Sequence, residues 1–76
     1  MTRGTSYYDE LETLLKGAYG VLAADLSEQD RNDVEEYLEH GEYGVAYDLL
    51  RFLVENEQLV LPESLTMAGR LMGMCE

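Results

Sequence analysis

The chain has 76 residues, 46% of them hydrophobic, and 16 carboxylates against five lysines and arginines give it a formal charge of −11. That length allows one domain with a small core, and the regular apolar content excludes a disordered acidic tail. The charge argues against direct nucleic-acid binding, because phosphates are held by the Lys and Arg that are scarce here.

The first helix is predicted from Ser6 to about Ala24. Apolar residues recur there at Tyr8, Leu11, Leu15, Ala18 and Leu22, with Tyr7, Leu14 and Val21 on a neighbouring row. Ser6 is the expected N-cap, with Asp9 and Glu10 placed to meet the positive end of the helix dipole. A second helix is predicted from about Glu28 to His40. Ser27, three residues before Asp30, is a variant capping box, Leu26 can staple it, and Val34, Tyr37 and Leu38 form a narrow apolar face. Gly41 sits where a left-handed C-terminal cap belongs.

Glu42-Tyr43-Gly44 then leads into Val45, Ala46, Leu49, Leu50, Phe52 and Leu53, a wide apolar face running to about Glu57. This third helix is expected to be the central one, with Arg51 paired locally to Asp48 or Glu55. Leu59-Val60-Leu61 can dock in extended form, and Pro62 suits the N1 position of a last helix whose stripe is Leu65, Ala68, Leu71 and Met72. Gly69 and Gly73 weaken that helix unless it is packed. The fold class expected is all-α, a small four-helix bundle-like single domain over residues 1–76.

Nine of the 16 carboxylates lie between Asp25 and Asp48, where Arg31 is the only base. A field of one sign, so concentrated, speeds and selects encounters with the opposite sign. Glu28, Asn32, Glu35 and Glu39 share one stripe of the second helix with Glu36 beside it, turned away from Val34 and Leu38. A solvated outer face explains many such rows. Helix surfaces built for solubility, however, usually interleave both signs, since like charges at i, i+4 repel. Tyr37, Tyr43 and Tyr47 lie in or beside this acidic stretch, where a ring with a polar tip can anchor an interface. Tyr8 and Tyr19 are expected in the core or at its edge. Partner contacts are therefore expected at Glu28, Glu35, Glu36, Glu39, Glu42, Tyr43, Tyr47 and Asp48.

Catalysis finds little footing. His40 lacks a second histidine or a positioned nucleophile, and no glycine-rich phosphate loop is present. No metal or cofactor is expected. An E-x-x-H pair would need Glu where Tyr37 stands, and an EF-hand starting at Asp30 would need Gly where Glu35 stands. Acyl carrier proteins share the length and acidity, but the nearest counterpart to their D-S-L attachment motif is Glu63-Ser64-Leu65, at the start of the last helix. Cys75 is the only cysteine, so no internal disulfide can form, and no apolar run approaches the ~18 residues of a membrane span. MTRGTSYYDE has no apolar core of the kind a secretory signal carries. A cytoplasmic protein, monomeric when free and without a membrane partner, is the expectation.

The stretch from Leu26 to Leu50, LSEQDRNDVEEYLEHGEYGVAYDLL, resembles the small immunity proteins of the MafI type, encoded beside secreted polymorphic toxins. Its most telling part is H-G-E-Y-G-V-A at His40 to Ala46, followed by Leu49 and Leu50. The resemblance implies binding and neutralisation of a cognate toxin domain, with EndoU-like ribonucleases among the nuclease toxins that such proteins meet. It implies no particular contact residues, since the motif itself is scaffold: Gly41 turns the chain, Gly44 is expected to let helix starts approach, and Ala46, Leu49 and Leu50 fill the core. The competing reading is an acidic adaptor or DNA-mimic regulator that binds a basic protein.

Overall fold

The computed structural model describes residues 3–73, with side chains from Tyr7 onward. Within them the chain forms four α-helices and no strand: α1 (Arg3–Leu22), α2 (Glu28–Glu39), α3 (Tyr43–Asn56) and α4 (Glu63–Met72), with a 3-10 turn at Ala23–Asp25 between the first two. The all-α bundle expected from the apolar spacing is present. Cys75 lies outside the described residues.

Helix α1 starts earlier than Ser6, which is already inside it. Gly4 alone, at a cost of about 1 kcal/mol, does not stop a helix. The position that would cap α1 falls outside the described residues. Asp9 and Glu10 then sit beyond the first turn, where the dipole no longer stabilises them. The buried stripe is the expected one, Leu11, Leu15, Ala18 and Leu22.

Helix α2 is set by its two ends. The Ser27 side chain accepts from the Asp30 N–H at 3.1 Å, the forward arm of the box. At the other end the Gly41 N–H donates to the Leu38 carbonyl at 3.2 Å and the Glu42 N–H to that of Tyr37 at 2.9 Å, with Gly41 at φ +72°. This is a Schellman closure, which needs the left-handed residue that glycine adopts freely. Leu26, Val34 and Leu38 bury the inner face.

Helix α3 buries Ala46, Tyr47, Leu50, Leu53 and Val54. The wide apolar face expected of it is only half used. Val45 and Phe52 lie roughly 140–160° round the helix from Leu50, and Phe52 is 59% exposed. No atom lies within 4 Å of where a Cβ on Gly44 would stand, so Gly44 serves no close approach. The central role is shared, because α1 and α3 each pack against all the other helices and the most extensive contact joins α1 to α4.

Helix α3 ends in the same way as α2 but without glycine. The Leu59 N–H donates to the Val54 carbonyl at 2.9 Å while Gln58 takes φ +55°. Leu59 packs on the core, but Val60 is 83% exposed and Leu61 is also exposed, so only one residue of that apolar run docks. Pro62 caps α4 rather than occupying its first turn, its carbonyl accepting from the Leu65 and Thr66 N–H groups. Leu65 and Ala68 are buried, and Gly69 meets Tyr47 so closely that a Cβ there would overlap the ring and hydroxyl.

Candidate interaction site: an acidic cleft

The flank of α1 next to its buried stripe carries Glu12, Lys16 and Tyr19 at i, i+4 and i+7. Burying Leu11, Leu15, Ala18 and Leu22 turns this row toward the C-terminal end of α2. An open cleft of about 820 Å³ lies there, lined by these three residues with Leu38, Glu35, Glu39, His40 and Gly41, and by Tyr43 at the start of α3. The Schellman turn at Gly41 forms one end of it.

Two tyrosine–carboxylate contacts organise the walls. The Tyr19 hydroxyl donates to Glu35 Oε2 at 2.5 Å, joining α1 to α2. Burial, and after it the bond to Glu35, push the Tyr19 hydroxyl up to about 12. Tyr43 donates across to Glu12 Oε1 at 3.5 Å, a long contact. Its hydroxyl is also raised, chiefly by burial with the Glu12 charge adding to it. Glu12 in turn pairs with Lys16 at 2.7 Å. That hydrogen bond and charge hold Glu12 below the usual carboxylate range and Lys16 above the usual amine. The cleft's single cation is therefore already engaged, while Glu35 and Glu39 have no cationic partner among the described residues.

The acidic third is uncompensated for a structural reason. Arg31, its only base, donates to the Ala23 carbonyl at 3.2 Å and the Leu26 carbonyl at 2.8 Å, closing the turn between α1 and α2. It pairs with no carboxylate among the described residues. The two ion pairs found there, Lys16–Glu12 and Arg51–Glu55, take acids outside the expected contact set.

The expected contact residues divide into three groups. Glu35, Glu39 and Tyr43 come together in the cleft. Glu28 and Glu36 are exposed along α2 outside it, and Glu42 is exposed at the start of α3. The stripe of Glu28, Asn32, Glu35 and Glu39 lies roughly 100–160° from Val34. It thus runs along the shoulder that meets α1, and Glu35 is drawn inward by Tyr19 rather than facing straight out. Asp48 is exposed on the far side of α3 between Val45 and Phe52 and does not reach the cleft.

Tyr47 is a correction. It is 3% exposed, in contact with Gly69, with its hydroxyl accepting from Arg51 Nη1 at 2.8 Å, so it is a core residue and offers no surface to a partner. Tyr8 errs in the opposite sense, since it is 58% exposed and its ring lies 6.3 Å from that of Tyr43. Sequence reasoning also missed Glu12, Lys16, Tyr19 and His40 as cleft residues. The signal was available for the first three, a polar and aromatic row beside the buried stripe of α1.

No protein family, curated protein or solved structure matches the chain. Among the described residues no group of three or more His, Cys, Asp and Glu is placed to hold a metal. No helix among them is long and apolar enough to cross a membrane.

Proposed function

We propose that this chain is an immunity protein that binds a cognate secreted bacterial toxin, a basic ribonuclease of the EndoU-like kind, and neutralises it by stoichiometric blocking. The observation that carries this reading is the set of carboxylates on α2 and at the start of α3 that no base among the described residues pairs, Arg31 being committed to backbone carbonyls. Like charges kept together in this way repel within the free protein. A cationic partner relieves that repulsion on binding.

A ribonuclease groove that holds phosphates is lined by positive groups, and a row of carboxylates can stand in for the phosphates there. The toxin identity comes from the likeness of Leu26–Leu50 to MafI-type proteins, and the basic character of the partner from charge. On this reading the protein is a binder without turnover, acting in the cytoplasm where the toxin would meet its RNA. Close charge pairs across an inhibitor–nuclease interface couple by roughly 1.5–7 kcal/mol. Charges beyond ~8 Å are screened at physiological salt, so association should slow as salt rises.

The test is co-expression with the C-terminal domain of the toxin encoded beside this gene. Relief of toxicity and an equimolar complex are the expected results. Continued toxicity with the immunity protein present and folded would overturn the reading.

A further inference from the structure

The cleft has features that a merely solvated acidic surface lacks. Its inner surface is partly apolar, with the edge of Leu38 and the backbone of Gly41, and two tyrosines line it. One rim carboxylate is held in place, because the Tyr19 hydroxyl occupies Glu35 Oε2 and leaves Oε1 free to accept from elsewhere. Glu39 follows one turn later on the same shoulder of α2. Lys16 is held at 2.7 Å by Glu12, on the opposite wall.

We propose that this cleft seats one arginine side chain of the partner, its guanidinium bridging Glu35 and Glu39 with the aliphatic stem along Leu38 and the tyrosine walls. This rests on the partner being a basic protein and names the part of it that anchors. Arginine fits better than lysine for three reasons. Its planar fork presents five donors and can serve two carboxylates at once, it is more weakly hydrated than an ammonium, and it stacks on aromatic faces. The cleft volume of about 820 Å³ accepts a long side chain with water around it. Glu35 is pre-oriented by Tyr19, so less freedom is lost when the cation arrives.

The experiment is a titration of the isotopically labelled protein, followed by amide chemical shifts, with a short glycine peptide carrying one central arginine and with its lysine counterpart. Saturable shifts concentrated at Tyr19, Leu38, Gly41 and Tyr43 are expected from the arginine peptide. Binding of the lysine peptide should be weaker by about threefold. Glu35→Gln should abolish saturation, and Glu28→Gln, outside the cleft, should leave it intact. Shifts spread evenly along α2, or equal affinity for the two peptides, would overturn the assignment. So would tighter saturation by spermidine, which would give the cleft to a free amine. Capture of the toxin domain with unchanged affinity by Glu35→Gln would remove the arginine seat while leaving the inhibitor reading intact. A peptide seated in the cleft without any relief of toxicity would do the reverse.

Discussion

The seam between α3 and α4 and the cleft between α1 and α2 both join a tyrosine hydroxyl to a charged side chain, and they do it to opposite ends. In the seam Tyr47 is the acceptor. Arg51 donates to it at 2.8 Å, its guanidinium carbon lies 5.8 Å from the ring centroid, and Glu55 takes the other end of the guanidinium at 3.2 Å. Gly69 lets the ring sink into the core, and the charge is settled within the molecule. In the cleft Tyr19 and Tyr43 are donors, and the groups they hold are carboxylates that remain accessible. Among the described residues, packing thus pairs the Arg51 charge on one side, though its buried Nε finds no partner. On the other it leaves Glu35 without a cation while Glu12 is paired with Lys16. A buried tyrosine meeting an arginine makes structure, whereas a half-buried tyrosine meeting a glutamate orients a charge without neutralising it.

The sharpest way to break the contrast is at Gly69. A methyl group there must displace the Tyr47 ring, so Gly69→Ala should destabilise by about 1–3 kcal/mol in urea unfolding, the range for overpacking a tight site. Tyr47→Leu in the same background should recover part of the loss. An unchanged unfolding midpoint would mean that the seam is looser than described.

The cleft should respond in binding rather than in stability. Reversing Glu35 and Glu39 together to lysine should slow association with the proposed toxin domain by about tenfold or more at low salt, the scale of electrostatic steering. The fold should persist, because both side chains are exposed and the Tyr19–Glu35 bond lost with them is worth only about 1 kcal/mol. Equal association rates for the variant and the parent would move the interface elsewhere.

A smaller effect is expected at Tyr19. Tyr19→Phe removes the bond to Glu35, worth about 1 kcal/mol for a typical hydrogen bond. The pH dependence has a definite sign. The Tyr19 hydroxyl is raised from 10.0 to about 12 in the folded state. The folded protein thus holds that proton more tightly than the unfolded chain, and the stability it contributes is fully present below about pH 10 and is lost as pH rises toward 12. Tyr19 and Tyr43 should both ionise late in a tyrosinate absorbance titration, and the variant should lose the Tyr19 contribution.

The smallest change lies outside both regions and separates stability from binding. Gln58 adopts φ +55° where glycine would do so freely. Gln58→Gly should stabilise by at most about 1 kcal/mol, the left-handed strain being partly offset by the greater freedom of glycine in the unfolded chain. Association with the proposed toxin partner should not change. If it does, the loop after α3 belongs to the interface.

Periodicity made the helices legible and angle made the site obscure. The stripe of Leu11, Leu15, Ala18 and Leu22, the Ser27 cap and the Gly41 stop are local signals, and each element they mark forms near its expected limits. Val45 and Phe52 read as core because they are apolar, yet the neighbours of α3 cover only the side that holds Leu50. Tyr47 and Tyr8 exchange their expected places for the same reason. A side chain's type says that it can be buried, and only the packing partner, here Gly69 on α4, says that it is.

The sequence by itself determined the all-helical class, the ends of α2 and the concentration of negative charge between Asp25 and Asp48, because these depend on neighbours a few positions apart or on composition alone. Tertiary structure decided which of those charges meet. Glu12 and Glu35 lie 23 residues apart in the chain and share a cleft only because α1 and α2 bury their apolar stripes on a common core. Arg31, four residues from Glu35 and able on spacing alone to pair with it, turns instead to the carbonyls of the turn before its helix. Its two bonds there brace the bend between α1 and α2, and they leave the acidic shoulder without its only local base.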